Sequence, residues 1–474
     1  MGRMQGPSPS KPLTLLDSPE DIIGTGRNAM SHAVRAYEGD ISFSGIDGPG
    51  IIVEFGKPWR LTFWSEAYFI PCWDLGRQWL THEWLETGST ENMHCYEPMM
   101  DYELRYTNAR IVRSGVARAV VHWHYALCDN RFRIFHGNTT ADETYTVYPD
   151  GIAVRRLVGW PGDESDFGGN PTLWEVGEWI VLNPAGTVPE GTLRSPALTL
   201  TNLAGDAIEM SWPYYREGPR SFCAQYPGLS RWSEFIGRIN FTDQPSPFAA
   251  FPNSQLLFPH VACSACGELH PEIRPFVGNQ SDMHLPSYKR SDYVGWKRAD
   301  DLVGTVPTTT SIASYGYGYG YGANVPSGGA RTSRAYQRLI DLPRPTTWLS
   351  LQGVTESTDP EAIRKVVASW LHPARIDMIT APSEAVYEGY AFAQRAHEFR
   401  ILTAGVLEFE MVPTAATVNP VFVLNDWPSD GVHIAWGSRD VQPDALAVQR
   451  EDRDLVVWVK GEVTYPLRMR ISPE

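Results

Sequence analysis

The sequence predicts an all-β fold: a large antiparallel β-sandwich, supersandwich-like, then a small C-terminal β-sandwich, with one short linking helix. Three observations carry this. Short runs of aromatic and β-branched residues recur between Gly and Pro punctuation. The 41 Gly and 37 Pro favour many turns over long helices. Aromatic residues make up 12% of the chain, with 17 Trp, 21 Tyr and 18 Phe, and such side chains suit pleated, half-buried surfaces.

In chain order, residues 1–30 read as a poorly ordered arm. Residues 31–357 read as the large, catalytic-type sandwich. Its strands are expected at Ile51–Phe55, Trp59–Trp64, Val116–Leu127, Arg131–His136, Thr144–Tyr148, Ile152–Val158, Trp174–Leu182 and Ala197–Leu203. Tyr148-Pro149-Asp150-Gly151 is a tight turn. From 204 to 345 the periodicity weakens, and long loops carrying short strands are expected. An insert over 305–330 contains the alternating run Tyr315–Gly322. As a strand it would put its tyrosines on one face; the entropy cost of ordering so many glycines favours a mobile loop.

Residues 358–379 read as helix and linker. Thr358 or Asp359 caps the helix, Pro360 occupies its first turn, and Ile363, Val366, Val367 and Trp370 form one apolar face ended by Pro373. Residues 380–474 read as the small sandwich. Its strands are expected at Arg400–Met411, Val421–Leu424, His433–Trp436, Leu455–Val459 and Leu467–Ile471.

Composition narrows the function. The chain has 474 residues, 42% hydrophobic and 20% charged, as in soluble globular proteins. Lys plus Arg is 40 and Asp plus Glu 55, so the net charge is 40 − 55 = −15. That balance argues against nucleic acid or an anionic membrane as partner, but a local basic cleft can still take an acidic ligand. No apolar run long enough to span a membrane exists. The N-terminal stretch lacks the apolar core of a signal peptide, so a cytoplasmic location is expected for the sequence as written, and secretion if a signal precedes it. Six cysteines are too few for a disulfide scaffold.

Five constellations can carry chemistry. In His122-Trp123-His124-Tyr125, strand alternation puts the two histidines on one face, which suits metal binding or proton transfer, or a pair of satisfied histidines. His94-Cys95-Tyr96-Glu97-Pro98, with Asp101, Glu103 and Arg105 after it, reads as a site-lining loop or a Trp-anchored solvated one. Arg131, Arg133, Arg155 and Arg156 on successive strands form a basic stripe for a uronate or sulfate, or salt bridges with Asp142, Glu143 and Asp150. Glu175 and Glu178, flanked by Trp174 and Trp179, face opposite ways and make a poor acid–base pair unless joined by Glu97 or Asp101. His260, Cys263, Cys266 and His270 have ligand types and spacing that can hold zinc, with free thiols in a loop as the alternative. A phosphate loop, a Gly-x-Ser-x-Gly elbow and a His-Glu-x-x-His motif are missing from the sequence.

Cys95–Met99 with Arg105-Tyr106, Ala117–Tyr125, Tyr148–Arg155, Glu178–Asn183, Gly353–Thr355, Ala368–Leu371 and Asn419–Val423 stand out as a set. Together they resemble a β-sandwich family from glycan-degradation loci that is polysaccharide-lyase-like and includes ulvan-lyase-like members. The sequence departs from such relatives at His124, where they carry an arginine, and over 241–275, where they carry an Asn-His-Trp-Pro motif. The resemblance implies a lyase that cleaves a uronate-containing poly- or oligosaccharide by β-elimination. In that reading His122 or Tyr96 takes or gives the proton, His124 or Arg105 joins Arg155 at the carboxylate, and His94 is a further catalytic candidate. Arg105, Arg155, Arg133, Glu97, Glu178, Trp123 and Trp179 bind an acidic glycan. No cofactor is required; apart from the resemblance, His260, Cys263, Cys266 and His270 could hold zinc, with free thiols in a loop the favoured reading. A glycoside hydrolase on the same scaffold and a non-catalytic glycan-binding protein are the alternatives.

Overall fold

The structure is a computed structural model that describes residues 33–82, 84–89, 94–129, 131–163, 173–187, 189–210, 232–252, 258–260, 275–276, 308–317, 346–357, 359–429, 431–437 and 439–474. The described residues form an all-β protein. Two large sheets, of eleven and nine strands, pack face to face, and two five-stranded sheets form a smaller C-terminal sandwich.

The nine-stranded sheet positions the site. Its edge is built from Asn108–Ser114 (β1), Ala119–Ala126 (β2), Thr140–Val147 (β3), Ala153–Trp160 (β4) and Thr346–Thr355 (β5), which lie side by side as antiparallel neighbours. The β3–β4 register follows from the turn at Tyr148-Pro149-Asp150-Gly151. Gly151 takes φ +75°, which costs a glycine nothing, and Val147 then faces Ala153.

The inner face packs on the eleven-stranded sheet. Phe63 of that sheet meets Tyr145 edge-on at 5.4 Å between ring centroids. Trp179 lies so close over Gly237 that a Cβ there would stand 2.0 Å from the indole, so only glycine admits the ring. Trp123 and Trp179 are both fully buried. They fill the core, and neither offers a face to a sugar, contrary to the sequence expectation. In Trp123 the reason is alternation: the strand sends its larger aromatics inward because they bury the most apolar area.

Other expectations are corrected. Arg131–His136 is a loop, not a strand: Asp129 accepts the backbone N–H groups of Arg131 and Arg133, both at 2.9 Å, and Phe132 and His136 adopt positive φ. Tyr315–Tyr317 end the strand Thr308–Tyr317, paired with Leu173–Asn183, so this part of the expected mobile loop is sheet. Residues 318–330 lie outside the described residues, as do residues 1–32. Arg400–Met411 is two strands in different sheets, Ala396–Ile401 and Leu407–Val412, parted at Leu402–Val406. The strand Arg375–Thr380 pairs with Leu407–Val412, so the small sandwich begins inside the expected linker.

The helix Pro360–Leu371 (α1) forms as expected. Asp359 caps it by accepting from Glu361 N at 2.9 Å, and Ile363, Val367 and Trp370 are buried. Polar contacts tie the two sandwiches together. Arg118, just before β2, donates to Glu451 at 2.9 and 2.6 Å. The side-chain Oε1 of Gln449 accepts from Ala117 N and Arg118 N, both at 3.0 Å. Asp150 of the β3–β4 turn accepts from Arg395 and Asn419. No helix among the described residues is long and apolar enough to cross a membrane.

Candidate functional site

The outer face of β1–β4 carries the polar cluster. Alternation along β2 turns Trp123 and Tyr125 into the core and leaves His122 and His124 outside. Cross-strand pairing sets their neighbours. Asn108, His124, Asp142 and Val158 form one row, Arg110, His122, Thr144 and Arg156 the next, and Thr140 stands opposite Trp160. Side chains in a row share a face.

Asp142 organises this face. Its Oδ1 receives His122 Nε2 at 2.8 Å and His124 Nδ1 at 2.9 Å, and its Oδ2 accepts from Trp160 Nε1 at 2.6 Å. Partial burial works against the ionised carboxyl, but the hydrogen bonds from both imidazoles and their charge outweigh it and hold Asp142 well below the usual carboxylate range.

An ionised carboxylate only accepts, so the ring nitrogens facing it carry the protons. This fixes the tautomers of the neutral rings. His122 is left with Nδ1, which is buried and without a hydrogen-bond partner among the described residues. His124 is left with Nε2, on a side chain 33% exposed. Of the two, His124 has the lone pair that a ligand can reach, and His122 fixes Asp142 from behind. Trp160 is 44% exposed, with its N–H spent on Asp142, which orients the ring.

One residue along each strand, the inner face holds a second polar cluster. Glu143 accepts from Arg155 Nε and Nη2, both at 2.7 Å, and from the hydroxyls of Tyr125 and Tyr145, again at 2.7 Å. Arg155 Nη1 donates to Val176 O at 2.9 Å, and Leu85 N donates to the Tyr125 hydroxyl at 2.6 Å. Burial, then the Glu143 charge, pushes the Tyr125 hydroxyl well up. Nearby, burial pushes His82 down to about 3, with Gln352 beside it opposing and the Arg155 charge adding to the shift. Arg155 is 2% exposed and fully engaged. It is a structural counter-ion, not the expected carboxylate clamp; the outward residue of the pair is Arg156.

The remaining expected residues scatter. Tyr96 packs on Phe135 at 5.0 Å, and burial first, then Asp129, pushes its hydroxyl up. Glu97 is 3% exposed and bridges the backbone of Cys128. Asp101 is consumed as a loop cap, accepting from the backbone of Arg105, Tyr106 and Thr107. Arg105 pairs with Glu103 and lies 3.6 Å over the Phe132 ring; Arg133 pairs with Asp129. Loops 97–107 and 129–139 thus sit at the sheet end where β1 and β3 begin, near the His124 row but held by their own contacts. His94 lies on the short strand His94–Tyr96, Glu178 opposite Ser314, and His260 opposite Ser314 on the other side of that strand. Cys263, Cys266 and His270 lie outside the described residues. Among the described residues no group of His, Cys, Asp and Glu is arranged to hold a metal ion.

Sequence reasoning missed Trp160 and Arg110 and treated Asp142 only as a salt-bridge partner. Counting back from the turn at Tyr148–Gly151 would have placed Trp160 on the face of Asp142.

No protein-family model and no curated protein matches this chain. One match among solved structures is galactose 1-epimerase from Lactobacillus acidophilus NCFM, at 10% identity. It covers 68% of this chain and 98% of that chain, with a TM-score of 0.24. A score that low carries no inference about activity.

Proposed function

We propose that the protein is a carbohydrate-active enzyme, a lyase that cleaves uronate-containing poly- or oligosaccharides by β-elimination at the outer face of β1–β4. The observation that carries this reading is Asp142 clamped between two histidines and a half-exposed tryptophan. Asp142 orients His124 through Nδ1, leaving Nε2 as a base, the logic of a carboxylate–imidazole pair. Trp160 presents an oriented aromatic face suited to stacking on a sugar ring.

In this reading His124 Nε2 takes the proton from the carbon next to the uronate carboxylate. The electron pair forms the new carbon–carbon double bond, and the bond to the glycosidic oxygen breaks with its pair on oxygen. That oxygen takes a proton from the new imidazolium, so one open ring nitrogen serves both steps and a syn elimination is favoured. Asp142 stabilises the imidazolium between them. His122 is a positioning residue.

The hydrolase alternative needs two carboxylates about 5–9.5 Å apart. Among the described residues of this face Asp142 is the one carboxylate near His124, and three donors already occupy it, which favours the lyase. The test is ultraviolet absorbance with reducing ends assayed in parallel, on a panel of uronate glycans. Wild type should gain both signals. His124→Ala should lose about 100- to 10,000-fold in rate with its melting temperature kept. New ends without absorbance, or an unchanged rate in His124→Ala, would overturn the assignment.

A further inference from the structure

We infer that Arg110 and Arg156 each read an acidic group of the ligand, so that an oligosaccharide with at least two acidic groups lies across the strands, over the row Arg110–His122–Thr144–Arg156. This rests on the site proposed above and adds the two residues that read the acidic groups and the direction of the chain.

The register places the four residues. Arg110 stands opposite His122, His122 opposite Thr144, and Thr144 opposite Arg156. All four therefore project from the outer face, with an arginine at each end. Both arginines are exposed, and neither guanidinium has a hydrogen bond or an ion pair with another described residue. That sets them apart from Arg155, Arg118, Arg133 and Arg395, which are all engaged by carboxylates. On a chain of net charge −15, two guanidiniums with no carboxylate partner among the described residues stand beside the His122–His124 cluster. Asp142, the carboxylate closest to them in register, already accepts from His122, His124 and Trp160.

The spacing sets the ligand. Three strand intervals separate the arginines, about 14 Å from Cα to Cα. Each planar guanidinium suits one carboxylate or sulfate in a bidentate pair. With His122 and Thr144 between them, they meet two separate acidic groups more readily than one. The His124 row lies one residue pair further along, about 7 Å away. A glycan over the arginine row runs beside the open Nε2 of His124.

The test measures binding without turnover. Titration calorimetry on His124→Ala would use dimers and hexamers of galacturonate, guluronate, mannuronate and glucuronate, each with its carboxyl-reduced neutral counterpart. At least one hexamer should bind, with its dimer and its neutral form weaker by about tenfold or more. Adding Arg110→Ala or Arg156→Ala should weaken that hexamer about 10- to 100-fold and leave the neutral form unchanged. Arg131→Ala, on an exposed loop residue, should change nothing. Equal binding of acidic and neutral forms, indifference to both substitutions, or no binding by any hexamer would overturn the inference. Arginine-dependent binding without any double bond formed by wild type would sink the lyase and leave this inference standing. Elimination indifferent to both arginines would do the reverse.

Discussion

The two faces of β2–β4 carry clusters that look alike on paper and differ in kind. Outside, Asp142 is held by His122, His124 and Trp160; inside, Glu143 is held by Arg155, Tyr125 and Tyr145. Their members are sequence neighbours: His124 and Tyr125, Asp142 and Glu143, Arg155 and Arg156. One step along a strand turns a side chain from solvent to core. The dry cluster uses a guanidinium, which keeps its charge, and the Tyr125 hydroxyl, pushed up by burial, so its protons stay where they are. The wet cluster uses imidazoles, and the open Nε2 of His124 sits on a side chain 33% exposed. A carboxylate with several donors is thus no mark of a site by itself. What separates the two is whether the donors can exchange protons with something outside.

Breaking the inner cluster should have the largest effect at neutral pH. Glu143→Ala or Arg155→Ala leaves an uncompensated buried charge and should cost about 3–5 kcal/mol in urea unfolding. His124→Ala, on the outer face of the same strands, should cost less than about 1 kcal/mol. Equal losses would erase the distinction between the faces.

Acid should come next. Burial pushes His82, beside the inner cluster, and His397, in the small sandwich, down to about 3. The unfolded chain protonates both below about pH 6.5 while the folded chain keeps them neutral. Their contribution is complete above that pH and is lost as pH falls toward 3, at up to about 1.4 kcal/mol per pH unit for each. His82→Gln should flatten the acid limb of a stability–pH curve. Asp142, held below its ordinary 3.8, adds a further loss that begins as pH falls through about 3.8. An unchanged limb in His82→Gln would show that the ring is protonated in the folded chain.

Tyr125→Phe should be the smallest of the three. It removes one donor to Glu143 and strands Leu85 N–H, for about 1–3 kcal/mol. No loss would mean that water replaces the hydroxyl and that the inner cluster is wetter than its burial implies.

Much of this was legible beforehand. Strand runs such as Trp59–Trp64 and Ile152–Val158 were found because short aromatic and β-branched segments between turns have few other homes. The cap at Asp359 and the apolar face of α1 were legible for similar local reasons. Arg131–His136 was misread because Asp129 captures its backbone N–H groups, a side-chain competition that a strand pattern does not display. Arg400–Met411 was read as one strand because its apolar alternation runs through a turn that sends the two halves to different sheets.

The sequence by itself determined the all-β class, the helix, and the common face of His122 and His124, because these follow from local propensity and a period of two. It left open which face of β2 is buried, since Ala119, Val120 and Val121 make both faces apolar. Only the tertiary structure decided that, by laying the eleven-stranded sheet over Trp123 and Tyr125. The same packing sent Arg155 inward to Glu143, left Arg156 outside, and brought Trp160 to Asp142 across a hairpin. Which of two adjacent residues meets water depends on what covers the sheet, and that is a property of distant segments.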